Sequence, residues 1–310
     1  MILDSMNKFE VMRAIRKDFD EDVLPFYNSS LRLKIRLKIK DRASRLKSVI
    51  NLGWTEYISR NKIKYHILQK GDQYGDTPLF ISECIWKKRN GKPQTIFATL
   101  HPNSAIAIYT QHCLERYAER VIFQPSRPLK DILNDLLKQQ KFAFHIVLPS
   151  PTHKFTVYHS FANALFLGDY DPPKDSNSPS WNWYNTCISL NESGESQSII
   201  LSKLTKLQEF VNNYKFDPID NHNHFQQFIK NQIISINDKN RLIEFLQIRF
   251  MLLQLHLSYD LPFTHIFNQH INAEIEIIRS QLKYLGANID DNTIFKDISS
   301  MKDELNYNSK

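Results

Sequence analysis

SAIAIYTQHCLERYAERVIFQ, residues 104–124, passes from an apolar run straight into a short helical pattern. His112, Arg116 and Arg120 recur at i, i+4 and i+8, so a helix stacks them on one side. Leu114, Tyr117 and Val121, at i, i+3 and i+7, supply an apolar stripe for the other side, which holds the helix against a sheet. The spacing therefore predicts a strand from Ser104 to Tyr109, Thr110 as N-cap, and a helix over 111–121. A second amphipathic helix is expected from Leu129 to Gln140, through Leu129, Ile132, Leu136 and Leu137.

Outward from this pair, the pattern turns to strands on both sides. Upstream lie KYHILQK from Lys64, then Pro78 to Lys87 and Thr95 to Leu100, the last two separated by Arg89-Asn90-Gly91-Lys92. Asn-Gly supplies the positive φ angles of a type I′ turn, so these two runs read as a hairpin. Downstream, Phe142 to Pro149, Thr152 to His159, Ala162 to Tyr170 and Tyr184 to Leu190 carry β-branched and aromatic residues, and DPPKDSNSPSWNW between the last two reads as a loop. At the N-terminus, Phe9, Met12, Ile15 and Phe19 are spaced for a helix from Asn7 to Tyr27, with Pro25 marking its end. The final third reads as four helices, Ile199 to Tyr214, Phe225 to Ile234, Asn240 to Tyr259 and Thr264 to Leu285, with Asn237-Asp238 as a capping signal and Gly286 as the C′ residue of the last. The third of these is apolar nearly all round, and the tail after Asn292 is polar and expected to fray. The expected class is α+β: an antiparallel sheet with a helix pair, followed by an all-α C-terminal bundle. Composition divides the chain into a basic arm (1–60), an α+β domain (61–190) and a helical domain (191–310).

The 310 residues, 42% hydrophobic with only 7 glycines, can bury a large core and are poor material for disorder or a repeat array. Cys84, Cys113 and Cys187 are odd in number and far apart, which offers neither a disulfide framework nor a CxxC metal site and fits a reducing compartment. The N-terminus lacks the apolar core of a signal peptide, and the most apolar later run, Phe245 to Leu257, is broken by Gln247, Arg249, Gln254 and His256, so we expect a cytoplasmic chain with no membrane span. No metal or other cofactor is expected, since His222 with His224, and His265 with His270, lack a third ligand at suitable spacing. The net charge of +7 is uneven: residues 1–190 carry an excess of ten cations and residues 191–310 an excess of three anions. An anionic partner, RNA or DNA, would meet the front of the protein, while residues 191–310 suit a protein partner or self-association.

The densest cations lie in LRLKIRLKIK, where Arg32, Lys34, Arg36, Lys38 and Lys40 alternate with apolar residues. That alternation suits a strand, although Ile35, Ile39, Ala43, Leu46 and Ile50 also fit a helix; the reading adopted is an extended start passing into a helix. The cations could grip phosphates or simply guard a solvated edge strand. Lys154 adds charge, and Trp181 and Trp183 could stack on bases or anchor the loop.

The order of elements, and the words IYTQHCLERYAERV in particular, resemble the His-x3-Arg-x3-Arg helix of small RelE/BrnT-like toxin domains and their uncharacterised relatives, over about residues 104–190. The resemblance implies a small α+β domain that binds and cuts RNA, with His112, Arg116 and Arg120 inheriting the site. Metal-independent cleavage needs a base for the 2′-hydroxyl, an acid for the leaving oxygen and cations for the developing charge. His112 or His159 could be base or acid, and Arg116, Arg120 and Lys154 could supply charge. Glu119, three residues from Arg116, offers the competing reading of a solvated ion-paired face, and the rival function is a non-catalytic interaction or structural protein.

Overall fold

The computed structural model describes residues 2, 6–34, 36–37, 50–72, 75–76, 78–87, 91–100, 106–138, 143–149, 155–161, 163–171, 180–189, 199–233, 235–259, 264–287, 289 and 291–307. It is a mixed α+β chain of two compact units, Met1–Cys113 with Pro179–Tyr184, and Leu114–Ser178 with Asn185–Lys310. These units cut across the divisions near residues 60 and 190 that composition draws.

The first unit begins with α1 (Lys8–Asp18), capped reciprocally: Glu10 N–H donates to Asn7 Oδ1 at 3.0 Å and Asn7 N–H to Glu10 Oε2 at 2.7 Å. Pro25 does not end it. The helix continues through a π-helical turn (Phe19–Val23), a short α piece (Leu24–Phe26) and a second π turn (Tyr27–Leu31). A proline ring clashes with the carbonyl four residues back and lacks the N–H to bond it, and a wider turn on each side relieves both problems. The same widening explains the stripe. Ile15, Phe19, Val23, Tyr27 and Leu31 are all buried at strict four-residue spacing, which in a straight α-helix would drift by about 40° per step. The π turns take up that drift, and Phe9, expected on the stripe, is left 40% exposed. Residues 31–34 and 36–37 are helical too, so the expected extended start of the basic run is wrong there; 38–49 lie outside the described residues.

This helix covers one face of a sheet formed by β1 (Ile50–Ile58), β2 (Lys64–Asp72), β3 (Gly75–Asp76), β4 (Leu79–Lys87), β5 (Pro93–Leu100) and β6 (Ile106–Thr110). β1, β2, β4, β5 and β6 run as an antiparallel meander with β3 attached to β2, and residues 181–184 of the strand Trp181–Ser189 lie parallel to β6. The β4–β5 hairpin is as expected, with Lys87 opposite Pro93, while Arg89 and Asn90 of its turn lie outside the described residues. Phe80 takes the edges of Phe19 and Tyr27 at 4.9 and 5.2 Å between ring centroids. Two buried carboxylates pin helix to sheet. Asp18 accepts from Tyr65 Oη at 2.9 Å and Asn61 Nδ2 at 2.7 Å, and Asp22 accepts from Tyr57 Oη at 3.0 Å and the Arg60 N–H at 2.8 Å. Burial, and then the Asp18 charge, raise the Tyr65 pKa, so it remains a phenol donor.

The second unit contains residues 114–120 of α2 (Gln111–Arg120), α3 (Leu129–Lys138), and the antiparallel strands β7 (Phe144–Pro149), β8 (Phe155–Phe161) and β9 (Ala164–Asp171), followed by residues 185–189 of β10 (Trp181–Ser189). Among the described residues, five α-helices follow: α4 (Ile199–Tyr214), α5 (Phe225–Gln232), α6 (Ile236–Leu257), α7 (Thr264–Tyr284) and α8 (Asp291–Tyr307). Phe144, Ile146, Leu148 and Leu165 of the strands share one apolar cluster with these helices. α6 buries Leu242, Phe245, Leu246, Ile248, Phe250, Met251, Leu252 and Leu255, which occupy nearly every direction around its axis, as its sequence implies. Its cap is Ser235, whose hydroxyl accepts from Asp238 N–H at 3.1 Å, two residues before the expected signal. The tail does not fray as expected: α8 places Met301 fully in the core. Gly286 closes α7 at φ +70°, with Ala287 N–H donating to Leu282 C=O at 2.9 Å and Gly286 N–H to Lys283 C=O at 3.0 Å, a Schellman pair. Nothing lies within 4 Å of an added Cβ there, so Gly286→Ala should cost only the backbone strain, about 1 kcal/mol, read as a lower thermal midpoint. An unchanged midpoint would remove that account of the cap.

Candidate nucleic-acid interface

Why α2 starts where it does is local: Cys113 N–H donates to Thr110 Oγ1 at 3.2 Å, the expected N-cap. Cys113, Leu114, Tyr117 and Ala118 are then buried, each at most 1% exposed, and Tyr117 lies against Phe166 with 5.9 Å between ring centroids. Val121, expected on this stripe, falls just beyond the helix and is half-buried. With the apolar side fixed, His112 is exposed and Arg116 and Arg120 are half-buried, one turn apart along the same helix. His112 belongs to the first unit; Arg116 and Arg120 belong to the second. Arg116 Nη1 stands 3.8 Å from Glu119 Oε2, both partly in water, so their attraction is weak and leaves the guanidinium available to a stronger anion.

His159 lies on β8, opposite His145 of β7, with the two rings 5.9 Å apart. Burial, then the neighbouring His145, pushes its pKa well down. It is therefore neutral near pH 7, and because burial disfavours its protonated form it is a weak base and holds no proton to give as an acid, which leaves both roles to His112. His145 is shifted the same way by burial, the Arg249 charge and His256. His145 keeps an exposed surface, so water offsets part of that burial and His159 is the more firmly neutral of the two. Sequence alone gave no reason to join these residues, because the cross-strand register brings together positions fourteen apart.

On the basic helix, Lys34 and Arg36 are exposed, and Arg32 is half-buried with Nη1 3.4 Å from Asn28 Oδ1. Lys38, Lys40 and Lys154 lie outside the described residues. Trp181 and Trp183 must be corrected. They are not in a loop but in β10, 8% and 1% exposed, with Trp183 edge-on to Trp86 at 5.1 Å and Lys8 Nζ 5.3 Å from its ring centre. Neither offers a face to a base, since each ring is spent in the core of the first unit.

Sequence also missed a histidine on the first sheet. His66 is 1% exposed, with Nε2 2.7 Å from Glu83 and Nδ1 3.3 Å from Glu56. Alternation within β2 marks it as inward or outward, but only pairing with β1 and β4 supplies the two carboxylates. Among the described residues, no three His, Cys, Asp or Glu side chains come together as a metal site, and no helix is long and apolar enough to cross a membrane. No protein-family model, curated protein or solved structure matches this chain.

Proposed function

We propose that this is a cytoplasmic nucleic-acid-binding protein whose first unit grips backbone phosphates, and that the His112, Arg116 and Arg120 side of α2 acts as a metal-independent, RelE/BrnT-like ribonuclease site with His112 as base or acid. One observation carries the reading. The first unit holds 20 lysines and arginines against 11 aspartates and glutamates, whereas the second holds 20 against 22, so the whole cationic excess falls on one compact unit. A surface of one sign raises the local concentration of a polyanion and speeds encounter. The exposed Lys34 and Arg36 add cations to that unit, on different sides of one helix.

The finer architecture belongs to the same proposal: α2 and α3 as a helix pair on an antiparallel sheet, with α4 to α8 as an all-α bundle. A second reading, a non-catalytic interaction protein, is favoured by the Arg116 to Glu119 contact, which is what a solvated helix face makes, and by the loss of Trp181 and Trp183 as stacking groups.

The test is fluorescence anisotropy with a labelled single-stranded RNA at several salt concentrations. Neutralising about four phosphates would weaken binding about fifty-fold between about 50 and 200 mM salt. Absence of binding at low salt overturns the reading. Binding without strand cleavage, and unchanged by His112→Ala, removes the ribonuclease part and leaves the grip.

A further inference from the structure

In the second unit, the turn His222–His224, the start of α5 and the last turns of α7 enclose a cavity of about 610 Å³, large enough for a small organic ligand. Its wall contains an unmet hydrogen-bond acceptor. Gln281 is 5% exposed, and its Nε2 donates to the Pro218 carbonyl at 2.6 Å. A carbonyl can only accept, so the amide cannot be turned round, and Oε1 is the atom left buried without a hydrogen-bond partner at the cavity wall. A buried acceptor of this kind costs free energy that a donor-bearing ligand returns.

His222 and Glu276 of the lining add further acceptors. His222 Nδ1 lies 3.3 Å from the Ile219 carbonyl and so carries the proton, which leaves Nε2 of the neutral ring as an acceptor. Glu276 contributes a carboxylate, 3.2 Å from Arg279 Nη1 and 70% exposed. Tyr284 is 57% exposed and is met edge to face by Phe225 at 6.1 Å, so an aromatic face stands at the mouth while a second ring backs it. Among the described residues, no lysine or arginine lines the cavity. Asn223, Gln226 and Ser280 can donate as well as accept, so it is the charge of Glu276, with no lining cation beside it, that sets the cavity against an anion.

The site is also held in place before any ligand arrives. Asp217 accepts from Ile219 N–H at 2.8 Å, the Asp217 carbonyl accepts from Asn221 Nδ2 at 3.1 Å, and the Pro218 carbonyl is tied to α7 by Gln281 itself. Loop and helix are thus fixed against each other, which lowers the entropy lost on binding.

We propose that this cavity binds a guanidinium group, with Gln281 Oε1 and the Glu276 carboxylate accepting its N–H donors and the Tyr284 ring taking its flat face. A guanidinium is planar, carries five donors and no acceptor, and stacks on aromatic rings, which matches an unmet acceptor and a carboxylate beside an exposed tyrosine better than a compact ammonium does. The group has two sources, free arginine or an arginine side chain within a peptide.

Isothermal titration of the full chain with L-arginine, with a blocked Gly-Arg-Gly peptide and with citrulline, at constant ionic strength, tests this. Citrulline keeps the length of arginine but replaces the cation with a neutral urea carrying a carbonyl acceptor. At least one guanidinium probe should bind, with citrulline about tenfold weaker or more. Binding of the peptide alone identifies a protein partner, and binding of free arginine identifies a small-molecule site. Tyr284→Ala and Glu276→Gln alter exposed groups and should leave the melting temperature in place while weakening binding about fivefold or more each. No binding by either guanidinium probe, equal binding of citrulline, or full affinity in both variants would overturn the assignment.

Discussion

Leu114→Ala and Tyr117→Ala are expected to destabilise the protein by about 2–5 kcal/mol, while His112→Ala and Arg116→Ala stay within about 0.5 kcal/mol. Leu114 is wholly buried and Tyr117 is 1% exposed, so truncation removes apolar contacts and leaves a cavity that the packed surroundings fill only in part. Burial also pushes the Tyr117 phenol up to about 12, with Cys187 and Asp135 adding to the effect, so no ionised tyrosine offsets the loss near neutral pH. On the other side of α2, His112 is exposed, and the Arg116 to Glu119 pair is 3.8 Å apart with 38% and 51% of the side chains in solvent. Such pairs contribute about 0–1 kcal/mol at most. Urea unfolding followed by circular dichroism gives all four values, and the same proteins assayed for RNA binding separate a site from a scaffold. If the exposed face is functional, His112→Ala and Arg116→Ala lose binding or cleavage with unchanged urea midpoints. If His112→Ala unfolds the chain and Leu114→Ala does not, the sides of the helix are reversed and the site proposal fails with them.

What could be read from sequence was whatever depends on neighbours within one turn or one strand. Thr110 capping α2, the Asn7 to Tyr27 helix start, the β4–β5 hairpin and the exact span of α4 all follow from local pattern, and all are present. Local rules misled where tertiary packing reshaped the element. Pro25 reads as a stop, yet π turns carry the helix past it because Ile15, Phe19, Val23, Tyr27 and Leu31 gain more by sharing one face. β1 was hidden by a helical period running into Ile50, and α8 by its polar composition, although Met301 alone shows that it has a buried side. Trp181 and Trp183 look like loop residues because prolines and serines precede them, and only their pairing with Ile106 and Ile108 reveals a strand. The same limit applies to chemistry. Charge segregation is a sum along the chain and can be read directly, whereas the His145 to His159 pair, the His66 carboxylates and the unmet Gln281 acceptor depend on register and on contacts between distant elements.

Those histidines carry the second large expectation, a loss of stability on mild acidification. His145, His159 and His256 all have pKa values lowered chiefly by burial; His159 falls to about 3, and the Arg249 guanidinium, itself 2.8 Å from Glu274, adds to the shift on His145. In the unfolded chain each returns to about 6.5. Below that pH the unfolded state takes up protons that the folded state refuses, so the unfolded state gains and stability falls as pH falls. For His159 alone this amounts to about 1.5 kcal/mol between about pH 6.5 and 5, and His256 adds to it, whereas the exposed surface of His145 reduces its share. Urea midpoints measured at half-unit steps across this range should decline, and His159→Gln should decline less steeply because it has one proton fewer to take up on unfolding. Parallel curves for the two proteins would mean that His159 titrates normally in the folded state. It would then be able to exchange a proton near neutral pH, and His159 would join His112 as a candidate base or acid.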